Sequence, residues 1–346
     1  MRWIFLFTLL CLNYSLFSQV GGNDTYSFLN LTTSARSIAL GGKTIAIDDN
    51  DLNLSYHNPS LLKPGMDNHF QMNYVNYFVD ISYGYTSYSF KGPKGIQMAT
   101  GIHYLNYGEF QKADQYGIKT GNFRASEYAL NFIASKKIDT NFTIGANLKP
   151  IYSNLESYKS LGIGIDLGVT YTDTSGLFTT ALVFKNIGFQ IKPYHGNTRE
   201  SIPFEIQLGF SLKLRHAPIR LITNLEHLET PNLRYNNPDF ENKNASAYQP
   251  EQYSSSLNKN IDKVMRHVAI GIELTPINNF YLRVGYNYRK RQELKIPSRP
   301  ATVGFSWGFG INIFNIYLNY GSADYHLSGN TNHFSIRTDL NNLFSK

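Results

Sequence analysis

From about residue 70 onward the chain alternates with period two, the signature of strands with one apolar and one polar face. In 161–172, Ile163, Ile165, Leu167, Val169 and Tyr171 share one face, while Gly162, Gly164, Asp166, Gly168 and Thr170 share the other. In 204–214, Phe204, Ile206, Leu208, Phe210, Leu212 and Leu214 alternate with Glu205, Gln207, Gly209, Ser211 and Lys213. Val268, Ile270, Ile272 and Leu274 alternate with Ala269, Gly271, Glu273 and Thr275 in the same way. Similar segments fall near 70–77, 81–90, 96–107, 126–137, 142–155, 177–187, 219–228, 280–290, 301–311, 315–324 and 333–339. Together they make about 14 strands, an even number that predicts a transmembrane antiparallel β-barrel with its apolar face in lipid.

The connections add an orientation. Tight turns rich in Gly, Pro, Asn or Asp are expected at 91–95, 137–141, 173–176, 215–218 and 276–279, and longer polar stretches at 108–125, 155–160, 188–203, 229–261 and 290–300. Short and long alternate, as they do when one rim carries turns and the other carries outward loops. A soluble β-sandwich or lipocalin-like barrel lacks that parity and carries Lys and Glu outside.

Residues 20–68 do not alternate. Gly41-Gly42, the acidic run Asp48, Asp49 and Asp51, and Asn58-Pro59-Ser60 suggest loops and short helical pieces, read as a hatch folded into the lumen ahead of the barrel at 69–346. Residues 1–19 read as a secretory signal, with Arg2 as the sole charge before an apolar stretch at 3–12 and then Ser15, Ser18 and Gln19. That stretch is too short to span a bilayer as a helix. Cys11, the one cysteine, lies inside it, so no disulfide or thiolate metal site is expected in the processed chain.

Composition fits this picture. Aromatic residues make up 14% and charged residues 16% of the 346 positions, with 25 Tyr and 23 Phe. A soluble domain has roughly a quarter of its residues charged, and aromatic girdles at two lipid interfaces account for the excess of rings. The formal charge of +7 is not interleaved with an aromatic platform, so nucleic acid is not an expected partner.

Several motifs read more simply than their chemistry suggests. Gly304-Phe305-Ser306-Trp307-Gly308 matches a nucleophile elbow, but the alternation runs through it where a strand-to-helix turn is needed, so no enzyme is expected. Gly162, Gly164 and Gly168 sit inside a strand, away from any dinucleotide-binding turn. The acidic run lacks the later Gly and Glu of a calcium loop. His57, His69, His103, His195, His216, His227, His267, His326 and His333 are scattered without a metal-ligand motif, so neither metal nor cofactor is expected. Arg289, Lys290, Arg291 and Lys295, in an expected outward loop, are candidates for contact with anionic lipopolysaccharide. The longest loop, 229–261, carries Tyr235, Phe240, Tyr248 and Tyr253 among Asn and Ser, a composition suited to protein contacts.

The stretch SARSIALGGKTIAIDDNDLNLSYHNPSLL at 34–62 resembles the N-terminal hatch of FadL-like outer-membrane proteins, with Ser60 where their Asn-Pro-Ala motif has alanine. QVGGNDTYSFLNL at 19–31, NYVNYFVDISYG at 73–84, HYLNYGEF at 103–110 and ANLKPIYSNLESYKS at 146–160 resemble the PorQ family of the type IX secretion system. That resemblance implies a 14-stranded outer-membrane barrel in a Bacteroidetes-type cell. It further implies an attachment complex with PorZ-like, PorU-like and PorV-like partners, in which this chain anchors the PorZ-like protein and does no chemistry. The alternatives are a PorV-like shuttle and a FadL-like channel for hydrophobic small molecules, with the hatch as gate and an apolar pocket behind Asn58-Pro59.

Overall fold

The computed structural model describes residues 24–78, 80–234, 256–294, 302–326 and 329–341. The signal at 1–19, the loop aromatics Tyr235, Phe240, Tyr248 and Tyr253, and Lys295 lie outside them. The strands are β1 (His69–Asn76), β2 (Ser82–Lys91), β3 (Gln97–Ala113), β4 (Lys119–Lys137), β5 (Phe142–Leu155), β6 (Tyr158–Thr172) and β7 (Phe178–Lys192), followed by β8 (Glu205–Lys213), β9 (Ile219–Leu225), β10 (Val268–Ile277), β11 (Phe280–Asn287), β12 (Phe305–Ile313), β13 (Ile316–His326) and β14 (Gly329–Asp339). Every strand pairs antiparallel with its neighbours in sequence, and β1 closes onto β14 from His69↔Asp339 to Asn76↔Asn332.

The period-two pattern sorts the wall as expected. Met72, Leu130, Phe132, Leu167, Ile272, Trp307 and Ile336 are exposed on the outer face. Gln71, Asn131, Asp166, Glu273, Ser306 and Arg337 are buried on the inner one. A monomer in water rarely exposes so continuous an apolar surface, and a lipid phase covers it. No described helix is long and apolar enough to cross a membrane.

One rim carries tight turns. Phe314 and Asn315, with φ of 47° and 66°, join β12 to β13, a two-residue hairpin whose positive φ values match the twist of the strands. The other rim carries the long connections, with three departures from expectation. β5 and β6 pair up to Leu155↔Tyr158, so the expected loop at 155–160 is a turn at Glu156 and Ser157. The expected loop at 108–125 is mostly strand, with Glu109↔Arg124 through Ala113↔Lys119 in register. β2 meets β3 only as far as Asn106, and β5 meets β4 only from Ala125, so 107–124 is a ribbon standing clear of the wall. Beyond Tyr107, which packs against the core at its base, neither of its faces meets lipid or core, so it shows no alternation in sequence. The third departure follows β11, which ends at Asn287 where the pattern suggested 290. There the Asn287 side chain accepts from Lys290 N–H at 3.1 Å, and the chain enters the helix Tyr288–Leu294.

Residues 24–68 lie within the barrel. Their one α-helix, Ala35–Ala39, starts at Ser34, whose side chain caps Ser37 N–H, and it packs on β11 to β14. Short 3-10 turns at Leu52–Tyr56 and Pro59–Leu61 are capped by Asp51 and Asn58. The segment begins at the outward rim, where Asp24 bridges Ser201, and ends at the turn-bearing rim as it enters β1.

Candidate functional site

The wall glycines follow the path of this inner segment. A Cβ on Gly285 would lie 2.1 Å from Gly41 N, one on Gly145 2.3 Å from the Pro59 carbonyl carbon, and one on Gly168 2.2 Å from Asn58 Oδ1. Gly162 meets Tyr26, and Gly321 meets Ala35, in the same way. The wall backbone therefore touches the inner segment's backbone at Gly145, Gly285 and Gly321, and its side chains at Gly162 and Gly168, where a Cβ would collide.

Polar contacts set the register. Gly41 and Gly42, at φ of 99° and 136°, turn the chain beneath the wall, and Gly41 N–H donates to Ser306 Oγ at 3.1 Å. Ser306 therefore sits in a strand bonded to the inner segment, unlike an enzyme nucleophile. Asn58 accepts from Ser60 N–H at 3.0 Å and donates to Ile45 O at 2.8 Å and Thr170 Oγ1 at 2.9 Å. With Pro59 against Gly145, this turn lies flush on the wall, with Asn58, Pro59 and Ser60 buried.

The acidic run is held by basic residues. Arg36 contacts Asp49 at 2.7 Å, Asp51 at 3.0 Å and Glu273 at 2.8 Å. Arg220 and Arg283 complete the cluster around Glu273, while Asp48 pairs with Lys63 at 2.8 Å and accepts from Thr172 Oγ1. A second buried pair, Lys149 with Asp166 at 2.6 Å, lies higher in the lumen. Such pairs add little net stability over an apolar packing, but breaking one strands a charge, so they specify a single seating.

Above the packed lumen, a cavity of about 670 Å3 opens at the outward mouth. The inner segment contributes Leu31, Thr32 and Lys43, the first hairpin Tyr77, Phe78 and Tyr83, the end of β9 Glu226 and His227, and the helix Tyr288–Leu294 Arg289, Lys290, Glu293 and Leu294. One wall is thus aromatic and the other charged. At the charged side, Lys43 pairs with the fully buried Glu205, and His227 stands 3.6 Å from the same carboxylate. Burial brings the Lys290 ammonium down to about 7, against the opposing pull of Glu226. Behind the helix, Asp262 accepts from Arg234, Arg266 and Tyr288 at 2.6, 3.0 and 3.0 Å. Burial opposes ionisation of Asp262, but these donors outweigh it and hold the carboxyl below its ordinary 3.8.

Of the basic residues singled out in the sequence, Arg289 and Lys290 face this cavity beside acidic partners, and Arg291 donates to Val303 O at 3.4 Å. They sit on a helix and its cap, where a free loop was expected. The sequence reading passed over Lys43 and Glu226, and it placed His227 only among the scattered histidines. A usable signal existed for Glu205, because a carboxylate on the polar face of a barrel strand requires a partner.

No protein-family model matches the chain, and no curated protein matches it in sequence. Among solved structures, the deltaS2 mutant of the TodX monoaromatic hydrocarbon channel aligns with a TM-score of 0.52 at 14% identity, covering 89% of this chain and 97% of that one. The Pseudomonas putida toluene transporter TodX aligns with a TM-score of 0.51 at 12% identity, covering 87% and 95%. A Pseudomonas aeruginosa FadL homologue aligns at 0.49 and 11%, covering 90% and 98%. The chain has the fold of the TodX barrels.

Proposed function

We propose that this chain is an outer-membrane barrel that binds a hydrophobic or amphipathic small molecule at its outward mouth. The observation that carries this reading is the cavity of about 670 Å3, with Tyr77, Phe78 and Tyr83 on one side and charged residues on the other, above a seated inner segment. Ligand sites of roughly 300–1,000 Å3 commonly combine an apolar lining with a few polar groups that set orientation. The TodX barrels, named as hydrocarbon channels, share the fold, which supports the reading by analogy. Saturable binding of an environment-sensitive naphthylamine dye to the protein in lipid nanodiscs tests it. Ser27→Trp, which fills the cavity rim, should abolish that binding while leaving heat-modifiable gel mobility intact; a wild type with no saturable binding refutes the proposal. Passage beyond the mouth requires the inner segment to move. A Ser60→Cys, Thr170→Cys pair, placed where the two hydroxyl oxygens are 2.6 Å apart, should then block uptake under oxidation and restore it on reduction.

A second reading, an outer-membrane docking component of a type IX secretion attachment complex, draws on the PorQ-like segments and on two structural observations. The lumen beneath the cavity is filled by a segment with buried ion pairs, which suits a fixed platform. The ribbon at 107–124 raises Phe110, Tyr116 and Ile118 into solvent, with Tyr116 79% exposed. On this reading the partners are PorZ-like, PorU-like and PorV-like proteins and lipopolysaccharide. A pull-down in mild detergent decides: co-elution of a sortase-like enzyme and a second barrel supports docking, and elution of the chain alone counts against it.

A further inference from the structure

We propose that Glu205, Glu226 and His227 form a site for one divalent transition-metal ion of the zinc class at the charged side of the outward cavity. One donor atom from each of the three falls within 4.8 Å of the others. Glu205 lies at the start of β8, and Glu226 and His227 directly follow β9. The side chains of Glu205 and Glu226 are 0% and 7% exposed.

The way their remaining atoms are engaged marks the trio out. Lys43 Nζ holds Glu205 Oε2, Arg289 Nη2 lies 4.0 Å from Glu226 Oε2, and Glu229 Oε1 lies 3.1 Å from His227 Nδ1. Each residue is tied back by one atom and presents the other. Glu205 Oε1 and Glu226 Oε1 are buried with no hydrogen-bond partner, a costly state for carboxylate oxygens. His227 Nε2 stands 3.6 Å from Glu205 Oε1, beyond hydrogen-bond range. A carboxylate on Nδ1 selects the tautomer with its lone pair on Nε2, the usual support for a ligating histidine. His227 also adopts a φ of 57°, a left-handed conformation that a residue with a side chain enters at a cost.

The donor set selects the ion. Two carboxylate oxygens and one imidazole nitrogen suit a borderline cation, whereas calcium takes six to eight oxygens and soft ions favour thiolates. Metal–ligand bonds of about 2.0–2.2 Å bring donors roughly 3–4 Å apart, so donors now within 4.8 Å of one another need to close by at most about 1–2 Å. Glu226 and His227 line the cavity, which gives the ion a route in and leaves coordination positions open to water or to a bound molecule.

The test is calorimetric titration of Zn2+ alone into the full chain, purified in detergent and stripped with chelator. One ion per chain is expected. Glu229→Gln should weaken binding by roughly 10–100-fold, and Glu226→Gln and His227→Ala by more. Glu293→Gln, on the same cavity wall but outside the trio, should bind as wild type. Heat-modifiable mobility checks that each variant folds, and should one not, X-ray absorption of the zinc-loaded wild type replaces it, with one imidazole in a nitrogen–oxygen shell expected. A wild type without saturable 1:1 binding, equal affinity in Glu226→Gln and His227→Ala, or a shell lacking imidazole overturns the proposal. The titration contains no amphiphile beyond detergent, so the metal site stands or falls separately from the small-molecule reading.

Discussion

Gly285→Ala is the smallest change that should unseat the inner segment. A Cβ there would stand 2.1 Å from Gly41 N, 2.4 Å from the Leu40 carbonyl carbon and 2.6 Å from Ser306 Oγ. Ordinary contact begins near 3.4 Å, so the Leu40–Gly41 backbone must retreat by more than 1 Å. That retreat breaks both the bond from Gly41 N–H to Ser306 Oγ and the one from Asn287 Nδ2 to Gly41 O at 3.2 Å. Overpacking costs about 1–3 kcal/mol and each lost bond about 1 kcal/mol, giving roughly 3–5 kcal/mol against the seated state. Amides in 35–47 should then exchange with solvent more than about a hundredfold faster, read by hydrogen exchange in nanodiscs. Gly164→Ala is the control, since its Cβ would find nothing nearer than Lys149 Cε at 3.6 Å and should leave exchange unchanged. If the two variants exchange alike, glycine contact does not seat the segment and the reasoning fails.

Arg36→Met should destabilise the fold by about 3–5 kcal/mol, because it strands Asp51 and takes one partner from Asp49 and Glu273, which keep Arg220 and Arg283; denaturant unfolding followed by Trp307 fluorescence measures this, and combining the change with Asp51→Asn should recover part of the loss. A cost under about 1 kcal/mol would mean the cluster is solvated in solution. Asn58→Ala should cost roughly 1–3 kcal/mol in the same assay, through the orphaned Ser60 N–H and Ile45 carbonyl and the lost bond to Thr170, whose hydroxyl keeps Ser60 Oγ. Asp262 ionises below its ordinary 3.8 in the folded chain, so its stabilising contribution is full above about pH 4 and disappears as pH falls through the lowered value. Protease nicking of the connection between β9 and β10 should therefore rise below pH 4, and Asp262→Asn should nick readily at pH 7; equal rates in both would show that Asp262 does not hold the connection.

The sequence by itself determined the wall. Period-two alternation reports whether a residue meets lipid or lumen, a local consequence of strand geometry, and so the number, order and facing of the strands were legible from Ile165 beside Asp166 or Ile272 beside Glu273. The ribbon at 107–124 escaped because alternation disappears where neither face is buried or lipid-bound. The turn at Asn58-Pro59-Ser60 was visible as a motif, but its contacts with Gly145, Gly168 and Thr170 were not. Only the tertiary structure decided which charges meet. Arg36 and Glu273 are 237 positions apart, and Glu205 reaches Lys43 and His227 only once the barrel has closed. Charge pairing acts through space over a few ångströms, and sequence spacing carries no record of that distance until the register of every strand is set.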